Sequence, residues 1–153
     1  MSERSRYQKI LVPLDGSVWG ERAIPHAVDL AQTHQSSLIL LHVLTASTRA
    51  YTDQLALAGQ AGQATQSQVQ MQQYLNGLRT GLVQRKIEVT TQLLEGPGVA
   101  EAICDYVIEA NIDLVVMSTH GRSGLARLLF GSVARRVLES VDVPVLLIRP
   151  DKE

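Results

Sequence analysis

Apolar residues along the chain fall into two alternating rhythms. Short runs that are apolar at nearly every position recur at Lys9–Leu14 (K-I-L-V-P-L), Leu38–Leu44 (L-I-L-L-H-V-L), Leu114–Ser118 (L-V-V-M-S) and Val143–Arg149 (V-P-V-L-L-I-R). Runs of this length predict strands buried on both faces, the habit of a parallel sheet. A further strand, Ile87–Leu93, instead alternates Ile87, Val89, Thr91 and Leu93 with Glu88, Thr90 and Gln92. Strict alternation means one covered face and predicts a place at the periphery of the sheet. Between the strands lie stretches with helical spacing. They carry Ala23, Ala27, Leu30 and Ala31; then Met71, Leu75, Leu78 and Leu82; then Val99, Ala102, Ile103, Tyr106 and Val107; a last helix is expected from Ser132 to about Ser140.

Strand and helix alternate throughout, which predicts an α/β fold: a three-layer, doubly wound parallel sheet of five strands, with helices on both faces. No repeat and no composition break divides residues 1–153, so they read as one domain. Ser17 is expected to cap the first helix, and Pro25 to impose a kink or a separate first turn. Thr45–Gln68 is rich in Ala, Gln, Thr and Gly and is expected to be a mobile connection, with Gln54–Gln68 the least ordered internal stretch.

Composition narrows the function. The net charge of −1 and an aromatic content of 4% argue against a nucleic-acid surface or a base-stacking platform. The polar start, M-S-E-R-S-R-Y-Q-K, lacks a leader-like apolar segment, and no apolar run reaches membrane-spanning length. With one cysteine, Cys104, an internal disulfide is excluded, and the expected location is the cytoplasm. Cys104 sits in a helical pattern and reads as a packing residue. His26, His34, His42 and His120 are scattered without metal-ligand spacing, and His42, on a strand of leucines, is expected to be partly buried and hydrogen-bonded.

The stretch Met117–Ser132, M-S-T-H-G-R-S-G-L-A-R-L-L-F-G-S, carries the candidate chemistry. It leaves a buried strand, passes Gly121, Gly124 and Gly131, and starts a helix at Ser132. A strand, a glycine loop and a helix N-terminus together suit a phosphate, because backbone N–H groups and the positive end of the helix dipole converge there. The same glycines could equally punctuate a long strand-to-helix connection. In a doubly wound sheet, ligands sit at the carboxyl ends of the strands where the winding reverses, which would bring Asp15 to the same crevice. Asp15-Gly16 is also a turn signal by itself, and both readings stay open. Arg122 could reach a phosphate, whereas Arg127, Arg135 and Arg136 read as solvated. No Walker-type G-x-x-x-x-G-K-[ST] is present. Gly96-Pro97-Gly98 is a plain turn, since Glu101 stands where a dinucleotide fingerprint needs its third glycine.

These motifs resemble the universal stress proteins of the nucleotide-binding, flavodoxin-like type, and the likeness covers almost the full length. The family signature, Gly-x2-Gly-x9-Gly-Ser/Thr, matches Gly121, nine residues, then Gly131 and Ser132, while its first glycine falls on Ser118. Val12–Ser17 (V-P-L-D-G-S), Leu41–Val43 (L-H-V), Met117 with T-H-G-R-S-G, and V-P-V-L-L-I-R at the C-terminus are also similar. The resemblance implies a strand order 3-2-1-4-5, homodimers, and in one branch bound ATP, with or without Mg²⁺. In that order Val145–Ile148 is an edge strand, continuously apolar and without an inward charge, and the homodimer is expected to form through it. It implies Pro13 and Asp15 beside the nucleoside, the backbone of Val43 at the adenine, and Met117 and Ser118 near the ribose. Gly121, Gly131, Ser132 and Val133 would surround the phosphates; the residues alone add His120 and Arg122 as candidates. Ser118 in place of glycine adds a Cβ at the ribose contact, and binding is expected to survive it.

The resulting expectation is an ATP-binding stress-response regulator acting as a homodimer, with at most weak ATP hydrolysis. Two alternatives use the same features: a slow ATPase or phosphoryl- or nucleotidyl-transferase, and a dimeric interaction protein with an empty pocket. Fast phosphoryl transfer needs metal ligands, a positioned nucleophile and charge neutralisation, and only Asp15, Ser132, Arg122 and His120 could supply them.

Overall fold

The apolar runs become strands because each can bury both of its faces at once. The computed structural model describes residues 6–45, 63–120 and 131–149. Its elements are β1 (Lys9–Pro13), α1 (Val18–Glu21), α2 (Ala23–His34), β2 (Ser37–Thr45), α3 (Gln63–Gly81), a 3-10 turn (Val83–Arg85), β3 (Glu88–Gly96), α4 (Val99–Glu109), β4 (Leu114–Ser118), α5 (Ser132–Ser140) and β5 (Val145–Ile148). The strands form one five-stranded sheet in the order β3-β2-β1-β4-β5, and every pairing is parallel.

Side chains alternate across the sheet and split the core into two layers. Ile10, Val12, Leu38, Leu40, Leu114 and Val116 pack against Ala23, Ile24, Ala27, Val28 and Ala31 of α2 and Leu75 of α3. Leu11, Ile39, Leu41, Val43, Val115 and Met117 face the other way, onto Ala100, Ile103 and Val107 of α4 and Ala134 and Val137 of α5. The alanine stripe of α2 lets that helix lie close to the sheet. β3 is an edge strand with no fully buried residue, which is why its sequence alternates.

Several boundaries differ from the sequence pattern. β1 ends at Pro13, although the Leu14 N–H still donates to the Leu41 carbonyl at 2.7 Å. β3 runs on to Gly96 because Leu94, Glu95 and Gly96 continue the ladder opposite Val43, Leu44 and Thr45. β5 is confined to Val145–Ile148, the four residues that pair with β4. The first helix divides into α1 and α2, with Pro25 in the first turn of α2, where its missing N–H costs nothing. α3 begins at Gln63, so the end of the polar connection, expected to be poorly ordered, is helical; residues 46–62 of it lie outside the described residues. No helix among the described residues is long and apolar enough to cross a membrane.

β1 pairs with β2 on one side and β4 on the other. The chain winds outward from β1 through β2 to β3, then returns to β4 and winds outward to β5. The connections leaving β1 and β4 therefore depart toward opposite faces, and a crevice opens between them.

α3 tests this packing. Leu75 has no exposed surface, whereas Val69 on the same helix is 46% exposed. Leu75→Ala should cost about 2–5 kcal/mol in urea unfolding, and Val69→Ala less than about 0.5 kcal/mol.

Candidate functional site

The bend after β1 is built by a short chain of side-chain hydrogen bonds. Gly16 takes φ 87°, a value a Cβ would oppose. Asp15 Oδ1 accepts from the Ser17 N–H at 2.9 Å and from the Ser17 hydroxyl at 2.5 Å. Ser17 Oγ in turn accepts from the Gly20 N–H at 3.1 Å and so caps α1 as expected. A Cβ on Gly20 would stand 3.0 Å from Asp15 Oδ1, so the carboxylate occupies the space that glycine leaves. Asp15 is thus both the turn residue and part of the cavity wall. His42 fixes the same bend from β2. A carbonyl only accepts, so the 2.8 Å contact between His42 Nδ1 and the Leu14 carbonyl places the hydrogen on Nδ1.

The second wall is the exit from β4. The Thr119 N–H donates to the Ile148 carbonyl at 2.9 Å, and the Thr119 carbonyl accepts from the Gly131 N–H at 2.7 Å. Ser118 Oγ donates to the His120 carbonyl at 2.9 Å, and Thr119 Oγ1 lies 2.8 Å from His120 Nδ1. α5 then starts at Ser132 with Gly131 as its N-cap and no side-chain cap, and the Arg135 N–H makes the first intrahelical bond, to the Gly131 carbonyl. Helix geometry leaves the N–H groups of Ser132, Val133 and Ala134 without intrahelical acceptors.

Gly131 also has a part in the fold itself. Its N–H is spent on Thr119 and is not offered to a ligand. Glycine is needed for another reason: a Cβ would stand 3.1 Å from the Thr119 carbonyl oxygen, tighter than packing tolerates. The open donors are the next three N–H groups, including that of Ala134, which the sequence did not single out.

Between the two walls lies a cavity of about 220 Å³, far more than a single water occupies. Pro13, Asp15, Val43, Met117 and Ser118 border it, as do His120, Gly131, Ser132 and Val133. Gly121 and Arg122, with Gly124 and Arg127, lie outside the described residues. The cavity is also lined by Leu14, Gly20, Leu41, His42, Val99, Ile103, Thr119 and Ala134. Of these, Leu14, Leu41, His42 and Thr119 lie within the motifs quoted above, and His42 also stands out as a polar residue within an apolar strand. Buried polar side chains concentrate here: of Ser36, His42, Ser118, Thr119 and His120, all but Ser36 line the cavity.

β2 overhangs its neighbour at the cavity. Its last pairing with β1 is Leu41 with Pro13, yet it continues to Thr45. Backbone groups two residues apart in a strand point to the same side. Since the Leu41 carbonyl faces β1, the N–H and C=O of Val43 face the side where β1 has already ended. Arg136, on α5, pairs with Glu101 of α4 at 3.0 Å. Cys104 packs against the second core layer, and burial pushes its thiol above the usual range. No group of three or more His, Cys, Asp or Glu among the described residues is placed to hold a metal ion.

Comparison with known proteins places this geometry. A universal stress protein of Methanocaldococcus jannaschii is 29% identical over 96% of this chain and 85% of its own. The solved universal stress protein UspA from Lactobacillus plantarum superposes with a TM-score of 0.69 at 28% identity, covering 94% of this chain and 99% of that one. A universal stress protein from Archaeoglobus fulgidus, solved in complex with dAMP, has a TM-score of 0.63 at 21% identity over 93% of this chain and 98% of its own. Residues 6–149 match the model of the Universal stress protein family, and the chain belongs to that family.

Proposed function

We propose that this protein binds an adenine nucleotide, ATP in the cell, at the carboxyl ends of β1 and β4, and that occupancy of this site regulates a homodimer in a stress response. One observation carries the reading. The uncapped first turn of α5 opens onto the same cavity as the Asp15 carboxylate and the overhanging backbone of Val43. These are three different chemistries, suited to three parts of one ligand. The N–H groups of Ser132, Val133 and Ala134, with the helix dipole behind them, suit phosphate. Asp15 suits ribose hydroxyls, because its carboxylate accepts hydrogen bonds and borders the cavity. The donor and acceptor of Val43 suit the polar edge of a base, whose flat faces would rest on Met117 and Ile103. The dAMP held by the Archaeoglobus fulgidus relative supports the choice of adenine. Mg²⁺, where present, would arrive on the phosphates, and Gly121 and Arg122 would complete their surroundings.

The proposed dimer uses β5. It is an edge strand, Leu146 on it is 37% exposed, and Val145–Ile148 carries no charge to discourage pairing. The proposed place of action is the cytoplasm, and the output is occupancy rather than turnover.

Calorimetry with ATP and Mg²⁺ tests the site. Trp19, the single tryptophan, stacks on Arg22 at 4.6 Å beside the cavity residue Gly20, so its fluorescence should change on binding. Ser132→Ala removes a hydroxyl and should weaken binding by roughly 2- to 10-fold. Ser132→Pro also removes an N–H, yet proline suits the first helical position, and Gly131 already has the extended ψ of 162° that a residue before proline needs. It should therefore weaken ATP binding further while leaving helicity unchanged. If Ser132→Pro binds as tightly as the parent, the phosphates lie elsewhere.

Light scattering tests the assembly. A dimer is expected at micromolar concentration, and Leu146→Lys should convert it to monomer. A monomeric parent protein would remove the β5 interface from the proposal.

A further inference from the structure

Ser118 closes the turn that leaves β4, and it does so with its side chain. Its hydroxyl hydrogen goes to the His120 carbonyl at 2.9 Å, and its oxygen accepts, at a long 3.4 Å, from the His120 N–H. The peptide unit that carries the His120 N–H carries the Thr119 carbonyl at its other end. That carbonyl holds the Gly131 N–H at 2.7 Å and so holds the N-cap of α5. A peptide unit is planar, and neither end turns without the other. We infer that Ser118 is a positioning residue for the nucleotide site: its hydroxyl bridges the carbonyl and the N–H of His120 and so closes the turn that presents the first turn of α5 to the cavity. The inference rests on the nucleotide-site reading above for its consequence, but the lock that the hydroxyl puts on the turn is a property of the ligand-free chain.

Surroundings make the lock effective. Ser118, Thr119 and His120 are 9%, 1% and 6% exposed, so water is poorly placed to replace the serine oxygen. The Thr119 N–H is tied to Ile148 in β5, and the Thr119 hydroxyl lies against the His120 ring. The turn is therefore gripped on both flanks, and the Ser118 hydroxyl closes it between them. A glycine at this position would remove the serine oxygen and widen the backbone's freedom at the same point. The site would then have to be ordered by the ligand, at a cost in affinity that a preformed turn avoids. Ser118 stands where the signature this loop resembles has glycine. The lock reverses the naive expectation from that signature: restoring the glycine should weaken binding, not strengthen it.

The full chain carrying Ser118→Gly, with Ser118→Ala as a second variant, decides the matter through two measurements. In the ligand-free protein, the amides of His120 and Gly131 should exchange hydrogen faster in both variants. Exchange at Ile10–Val12, relative to the global stability of each variant, should stay close to the parent. In calorimetry, both variants should bind ATP roughly 2- to 10-fold more weakly, with glycine the weaker. Saturating ATP should restore protection of the Gly131 amide. Unchanged exchange at Gly131 in Ser118→Gly overturns the lock, whether or not affinity falls, because a loss of affinity alone would mean that the serine touches the ligand directly. Equal or tighter ATP binding by Ser118→Gly overturns the positioning role even if exchange quickens. If the parent binds no ATP, the nucleotide reading fails separately, and the exchange measurement still decides whether Ser118 holds the turn.

Discussion

Ile10, Leu11 and Val12 have no exposed surface, and this burial of β1 on both faces and along both edges governs the rest of the molecule. A strand so enclosed needs a helix layer above and below it and a partner on each side. It obtains α2 and α3 on one face, α4 and α5 on the other, and β2 and β4 alongside. Because the chain arrives at β2 and β4 by crossovers on opposite faces, the carboxyl ends of β1 and β4 cannot be covered by a single connection. The crevice there follows from the packing requirement, before any residue is chosen to line it.

The residues at that crevice are held by a small number of hydrogen bonds that reach across the sheet. The Leu14 carbonyl is held by His42 from β2, and Thr119 is held by Ile148 from β5. Gly131 is then held by Thr119. Both walls of the cavity are thereby fixed to neighbouring strands, one to the buried β2 and the other to the edge strand β5. Such support suits a binding site, whose donors must be in place before the ligand arrives. The polar groups that provide it, His42, Ser118, Thr119 and His120, are buried and paired, and each lost partner would leave a buried group costly to desolvate.

Legibility in the sequence followed the range of the interaction. Leu38–Leu44 and Leu114–Ser118 were readable as strands because two-faced burial demands apolar residues at every position, and β3 as peripheral because one-faced burial demands alternation. Ser17 was readable as a cap because its acceptor role is completed three residues away, at Gly20. The end of β3 was not: Leu93 and Leu94 break the alternation, and only the ladder with β2 carries the strand on to Gly96. Most candidate site residues border one cavity, since turns and helix starts mark themselves locally. The apolar lining from Val99 and Ile103 left no mark, because a residue lining a cavity and a residue filling the core look alike in sequence.

By itself, the sequence determined the strands, the helices, their alternation, and a phosphate-type loop entering a helix at Ser132. Each of these is set by periodicity or by contacts within a few residues. The tertiary structure alone decided how the backbone at that loop is used. Gly131 gives its N–H to Thr119, and the N–H groups without intrahelical acceptors are those of the first turn of α5, from Ser132 to Ala134. Ser118 looked like a flaw in a glycine pattern, yet its hydroxyl closes the turn that places them. The physical reason is the same in both cases. A backbone amide has one hydrogen, and which acceptor receives it depends on what the fold brings near, not on the identity of the residue that carries it.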